Sequence, residues 1–227
     1  KACRVKTAKQ FISELDSLYK AGWKSSIFIV DDNLIGNKNE AKEMLSQLIG
    51  WQRERGNPCK FLAQVSINLA DDEDLMTKMK FANFNKLFIG LETPSIEGLE
   101  ECGKKQNTTT DLVESVKKIQ NHGMQVMGGF VVGFDSDDET IFDRQIKLIQ
   151  ETGIVVAMVS LLSAPPQTRL WHRLKNEDRL LSATSGNNTD GTLNFIPKME
   201  ENKLITGYKK ILEKINSPKL YYDNFTY

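Results

Sequence analysis

Two histidines and three cysteines are the whole stock of soft metal ligands in this chain of 227 residues. Cys3, Cys59 and Cys102 lie 56 and 43 positions apart. That scatter and the odd count exclude a disulfide framework and point to a reducing compartment. With only His122 and His172 to assist, no zinc-type ligand spacing exists, and buried thiols are the expected state of all three cysteines. Net charge is lacking as well: 30 Lys and Arg balance 30 Asp and Glu, so nothing in the composition advertises nucleic acid or an anionic membrane. No apolar run approaches the roughly 20 residues that span a bilayer, and no stretch has the pattern of a signal peptide. A soluble, cytoplasmic protein without a transmembrane segment or a nucleic-acid partner is expected. What is present is ordinary: 40% apolar and 26% charged residues, enough for a real core in one large α/β domain or two small ones.

The order of patterns is more informative. Thr7 and Gln10 have capping-box spacing at the start of a helix over 7–21, with Phe11, Leu15, Leu18 and Tyr19 on one face. "IFIVDD" follows as a strand. A helix ending at Gly56 then carries Ala41, Met44, Leu45, Leu48 and Ile49 on one face. "FLAQVS" is the next strand, before a short helix in "DDEDLMTKMKFA". "KLFIGLE" is a third strand, followed by helices over Ile96–Glu101 and Asp111–Asn121. "MQVMGGFVVGF", a helix in "SDDETIFDRQIKLIQETG", and "IVVAMVSLL" complete the series. Apolar strands separated by amphipathic helices predict a parallel sheet covered by helices. The polar residues gather where such sheets keep their sites, at the strand exits: Asp31–Asn33, Gln64 and Ser66, Glu92 and Thr93, Asp135, and Ser163 before Pro165. The alternation opens on a helix whose preceding strand is missing. "SATSGNNTDGTLNF" reads as a mobile loop, then Leu204, Tyr208, Ile211 and Ile215 fall in register on a final helix. "YYDNFTY" ends the chain with nothing to pack on, so both ends read as cut.

Several polar groups have plain explanations. The acids of Asp71–Leu75 and Ser136–Glu139 sit at helix starts, where caps and the helix dipole favour negative charge. His122 precedes Gly123 at a helix C-terminus, and His172 lies on an amphipathic stretch. Three features do not yield so easily. Two carboxylates and an amide, Asp31–Asn33, follow a strand rather than open a helix. Glu92 ends an apolar strand, where a carboxylate is buried at a cost or faces a cleft with a partner. Glycines weaken a strand, so "GGFVVGF" suggests close approach by a ligand or by another backbone. A carboxylate for ribose hydroxyls, aspartates for an ammonium group and a glycine-lined edge for a flat ring suit a nucleoside with an amino-acid tail. No GxGxxG or Walker loop favours a dinucleotide or nucleoside triphosphate.

On "FIVDDNLIGN", "LFIGLETPSIEGLEECGKKQN", "GGFVVGFDSDDETIF" and "LLSAPPQTRLWHRL", in that order, the sequence resembles the radical S-adenosylmethionine (radical SAM) enzymes. It is most similar to those with an N-terminal cobalamin-binding domain. The resemblance implies a partial TIM-type (β/α)6 barrel over 1–181, lacking its first strand, then a flexible loop and C-terminal helical extension over 182–227. It implies S-adenosylmethionine as cofactor, with Asp31, Asp32 and Asn33 at the methionine amine and Gln64 and Ser66 facing the cofactor. Glu92 would hold the ribose, and Gly129, Val131, Gly133, Phe134, Leu161 and Leu162 would border the adenine. The usual GxIxGxxE motif has Ser136 in place of its acid, so that position loses its role. The family's 4Fe-4S cluster is held by a CxxxCxxC loop, and one electron from it releases a 5′-deoxyadenosyl radical for C–H modification. This sequence has no such motif, and Cys3 aligns beyond it. The expectation is a chain that begins just after the cluster loop, with any cobalamin domain upstream. Such a chain has no metal ligands of its own and is inactive alone. The parent would act on a small-molecule substrate, with a flavodoxin- or ferredoxin-type electron donor.

Two other readings stay open on the residues alone. Asp31, Asp32 and Glu92 could be hard-metal ligands of a magnesium-dependent barrel enzyme. Alternatively, the strand-end acids could merely finish turns in a binding module without catalysis.

Overall fold

The computed structural model describes residues 6–181 and 191–218. Five parallel strands form one sheet in the order β1 (Ser26–Ile29), β2 (Lys60–Val65), β3 (Phe84–Glu92), β4 (Gln125–Val132) and β5 (Val156–Leu161). Sequential strands are spatial neighbours, as helical crossovers between parallel strands produce. Those crossovers are α2 (Lys38–Glu54), α3 (Glu73–Phe81), α4 (Ile96–Glu101), α5 (Lys105–Thr108), α6 (Leu112–Asn121) and α7 (Ile141–Thr152). The leading α1 (Ala8–Lys20), α8 (Arg169–Asn176) and α9 (Glu201–Ile215) complete the described α-helices, and a 3-10 turn at Ile67–Asp71 follows β2. Among the described residues, no helix is long and apolar enough to cross a membrane.

The start signals act as the sequence requires. Thr7 and Gln10 form the expected capping box on α1, and Asp72 caps α3 through the Leu75 N–H at 3.1 Å. Below its cap α1 is less buried than its pattern suggests: only Ala8 and Leu15 are buried, and Leu18 is exposed. Its aromatic side is held instead by polar tips, Trp51 Nε1 donating to Asp16 at 2.8 Å and Arg55 pairing with Asp16 at 3.0 Å. Cys59 is buried as expected, whereas Cys102 is exposed at the end of α4.

Burial alternates along the strands. Phe61, Ala63 and Val65 of β2, Leu87, Ile89 and Leu91 of β3, Val126, Phe130 and Val132 of β4, and Val159 and Leu161 of β5 are buried. The intervening residues are only partly buried or are exposed, among them Leu62, Gln64, Phe88, Met127, Gly129, Val131 and Met158. Runs that look apolar throughout are thus packed on one face. The α/β alternation with a parallel sheet stands as expected, while hydrophobicity at both parities did not say which face is packed.

The chain divides into two compact units: one holds the chain up to Gly90 and Glu114–Met127, the other Leu91–Val113 and the chain from Gly128. Core residues of the first include Leu45, Leu48, Leu75 and Met76; those of the second include Phe130, Ile149, Phe195 and Ile211. Cys3, "YYDNFTY" and residues 182–190 of the predicted loop lie outside the described residues. The end of that loop does not behave as a loop: Asn194 and Phe195 are buried, and Phe195 bridges to Leu180.

Candidate functional site

The predicted residues of the first unit sit at the exits of β1 and β2. Asn33 joins the two: its Oδ1 accepts from Ser66 N–H at 3.2 Å, and its Nδ2 donates to Ser66 Oγ at 3.2 Å. Leu34 N–H adds a bond to the Gln64 carbonyl at 3.0 Å. Ser66 Oγ in turn donates to Asn68 Oδ1 at 2.6 Å. The amide of the Asp-Asp-Asn run therefore anchors the turn. Among the described residues Asp31 accepts the Asn33 N–H at 3.3 Å, and both Asp31 and Asp32 are exposed. Two carboxylates are left facing water while the third polar side chain holds the backbone beneath them. Gln64 lies partly buried on the less covered face of β2.

The second unit contains the rest. Glu92 is one of the few non-glycine residues with a positive φ, +66°. Thr93 N–H bonds to the Leu91 carbonyl at 3.0 Å across it, closing a three-residue turn. Such backbone costs roughly 1–3 kcal/mol and persists where surrounding structure enforces it, often at functional sites. The enforcement is visible. Thr93 and Ser95 are buried, Thr93 Oγ1 accepts from Ser95 N–H at 3.2 Å, and Ser95 Oγ caps α4 through Gly98 N–H at 3.3 Å. The Glu92 carboxylate pairs with Lys104 at 3.0 Å, the two side chains 19% and 33% exposed. It is neither deeply buried nor bare, which resolves the choice posed by the sequence. Lys104 carried no signal in the sequence beyond a lysine pair after Gly103.

At β4 the glycines divide by parity. A Cβ on Gly128 would lie 2.6 Å from the Phe130 ring, so close packing accounts for that glycine without a ligand. Gly129 and Val131 are on the less covered face. Gly133 has φ +105° and abuts Leu204 and Leu162. Phe134 and Leu161 are buried, and the Phe134 N–H is taken by Asp137. Leu162 N–H bonds to the Val132 carbonyl at 2.8 Å, tying the exits of β5 and β4 together.

Asp137 is the group that sequence reasoning misplaced. Its Oδ2 accepts the Gly133 and Phe134 N–H groups at 2.8 and 3.0 Å, while α7 starts from Thr140 with no side-chain cap. An acid that reads as a helix cap points back and closes the strand exit, one position after Ser136. Burial pushes its carboxyl up to about 6 against the pull of those two donors, and its Oδ1 is buried without a hydrogen-bond partner. Two residues earlier, Asp135 has the opposite fate. The Arg179 guanidinium holds its carboxyl below the usual range despite burial, with Arg173 adding to the effect.

Among the described residues, no three His, Cys, Asp or Glu side chains lie close enough to hold a metal ion. Geometry gives the magnesium reading no support, and the described cysteines do not make a cluster site.

Comparison with known proteins places these observations. A family model described as a domain of unknown function (DUF4070) matches residues 168–227. An uncharacterized methyltransferase of Synechocystis sp. is 41% identical over 97% of this chain and 41% of its own length. The hopanoid C-2 methylase of Rhodopseudomonas palustris is 29% identical over 99% of this chain and 42% of its own length. The chain therefore spans about two fifths of the length of these curated relatives. Among solved structures, the radical S-adenosylmethionine methyltransferase TsrM from Kitasatospora setae, with cobalamin and a 4Fe-4S cluster bound, matches at TM-score 0.67. That match has 16% identity and covers 79% of this chain and 33% of TsrM. The cobalamin-dependent S-adenosylmethionine radical enzyme OxsB matches at TM-score 0.57 and 16% identity, over 94% of this chain and 32% of its own.

Proposed function

We propose that this chain, similar in sequence to the hopanoid C-2 methylase and in fold to the cobalamin-bound radical S-adenosylmethionine methyltransferase TsrM, is the S-adenosylmethionine-binding part of a cobalamin-dependent radical SAM methyltransferase. In this reading its strands are β2 to β6 of a partial (β/α)6 barrel over 1–181, and 182–227 is a C-terminal extension. The parent is a cytoplasmic enzyme with the cluster loop and a cobalamin domain outside this stretch. It acts on a small-molecule substrate with a flavodoxin- or ferredoxin-type electron donor.

The observation that carries the reading is Glu92. Strain is maintained there at a strand exit, and a carboxylate is held partly open with a lysine beside it. In the second unit, a carboxylate so placed accepts two vicinal hydroxyls of a ribose and the partly buried Gly129 and Val131 suit a flat ring; in the first, the exposed Asp31 or Asp32 can accept from an ammonium group. The donor and acceptor set fits S-adenosylmethionine. It does not fit an iron–sulfur cluster, which the described residues give no thiolate set to hold. When bound, S-adenosylmethionine supplies a sulfonium that can donate a methyl group or yield a carbon radical on one-electron cleavage. The chain's own contribution is to bind and orient it: Glu92 sets the ribose, Lys104 holds that carboxylate in place, Asn33 holds the turn after β1, and Asp137 holds the turn after β4.

Glu92→Ala tests the assignment by calorimetry with S-adenosylmethionine on the full-length protein. Loss of a charged hydrogen-bond acceptor in a cleft predicts weakening by about 1.5–3 kcal/mol; unchanged affinity would sink it.

A further inference from the structure

The segment matched by the domain of unknown function, described over 168–181 and 191–218, packs its α9 on α7 and also reaches the exits of β4 and β5. Arg179 donates to both carboxylate oxygens of Asp135, at 2.6 and 2.9 Å, and Arg173 adds a bond at 2.7 Å. The Asp135 side chain is only 6% exposed. Arg179 is itself placed by its Nε bond to the Ile196 carbonyl at 2.8 Å and by the Leu180–Phe195 bridge beside it. Asn194 makes a paired amide contact with Ala164, accepting its N–H and donating to its carbonyl, each at 2.9 Å. Leu174 and Phe195 pack around Ala164, with Leu162 against the cluster. From α9, Leu204 abuts Gly133 and Gly207 leaves room for the Phe142 ring of α7.

We propose that this segment is a clamp that sets the backbone of 133–137 and 161–164, with Arg179 as its principal positioning residue. Its use in binding rests on the S-adenosylmethionine reading above, whereas the clamp itself does not. A packing appendage would need only its apolar cluster. This one also directs polar groups onto the loops: a bidentate guanidinium on Asp135, and an amide on the main chain of Ala164. On the other flank, Glu101 accepts the Asp135 and Ser136 N–H groups at 3.2 and 2.9 Å, and Asp137 takes those of Gly133 and Phe134. The loop is thus held by acids on one side and by arginines on the other. Removing Arg179 leaves Asp135 enclosed with less compensation, which the loop relieves by opening.

Hydrogen exchange on the full chain tests this. In Arg179→Ala, exchange of the Gly133, Phe134, Leu162 and Ala164 amides should accelerate on the order of 100-fold, while the β2 amides keep their rates. Arg173→Gln and Asn194→Ala should accelerate the same amides by roughly tenfold each. Arg179→Lys should fall between wild type and alanine, since a single ammonium cannot reproduce the fork. Affinity for S-adenosylhomocysteine should decline in the same order. Faster exchange confined to 168–181 and 191–198, with Gly133 and Leu162 unchanged, overturns the clamp. If Arg179→Ala unfolds throughout, β2 included, the Arg173 and Asn194 variants decide by the same amides. If the loops loosen as stated but S-adenosylhomocysteine protects none of 129–134 in the wild type, the clamp stands and the cofactor reading fails.

Discussion

The exits of β1 and β4 are built from similar residues and held in different ways. Asp31–Asn33 leaves two carboxylates in water and relies on one amide, Asn33, for its tie to Ser66. Gly133–Asp137 has no such freedom: one aspartate is turned inward onto two N–H groups, and the other is gripped by two arginines. An acid at a strand end can thus be a free hand or a fastener, and its neighbours in space decide which. Free carboxylates cost little and stay available to a ligand; fastened ones define the surface against which a ligand lies.

The largest expected effect tests the fastener at β4. The folded chain holds a proton on Asp137 more tightly than the unfolded chain does, so acid favours folding at this group. Its contribution should rise as pH falls through about 6 and level off near the ordinary carboxylate value of about 4, totalling about 3 kcal/mol. Urea midpoints across that window, wild type against Asp137→Asn, should diverge in slope; parallel curves contradict the burial assigned here. Asp135 works in the opposite sense. Its depressed folded value adds stability above the ordinary carboxylate range and loses it as pH falls further, so the two fasteners separate on one titration.

Gly133→Ala comes next. A Cβ at φ +105° would be strained and would press on Leu204 at 3.2 Å. A loss of about 2 kcal/mol in chemical denaturation is expected, and an unchanged midpoint would mean that the β4 exit is softer than drawn. At the β1 exit the tie is lighter. Asn33→Ala should cost about 1 kcal/mol through its lost bonds to Ser66. A cost equal to that of Gly133→Ala would erase the contrast. Asp32→Asn should be the mildest, within about 0.5 kcal/mol of wild-type stability, while lowering affinity for S-adenosylmethionine. A loss of stability instead of affinity would make Asp32 a fastener after all.

Much of the fold was legible in residues whose signals are local. The Thr7–Gln10 box, the Asp72 cap and the helix Ile96–Glu101 follow from interactions within a turn or two, and the structure places them where the pattern does. The short α5 left no periodic signal, since a helix of four residues is barely a turn. Of the candidate site, the exits that carry Asn33, Glu92 and Gly133 could be read because strand ends are marked by abrupt polarity. Asp137 could not, because "SDDE" before an amphipathic helix satisfies a capping rule and the competing N–H groups lie behind it. Lys104 and Asn194 could not either: one is a lysine among many, the other sits in a small polar stretch. Their partners are 12 and 30 positions away.

By itself, then, the sequence determined the alternation of strands and helices, the strand exits as the polar places, and the likeness to radical SAM enzymes. Hydrophobic periodicity, caps and motif order are all carried by neighbouring residues. Only the tertiary structure decided which face of each strand is packed, which carboxylates are fastened and which are free, and that the segment after Thr168 grips the β4 and β5 exits. Those outcomes depend on burial and on charge pairing across long stretches of chain, and the energy of an aspartate is set by what surrounds it in space.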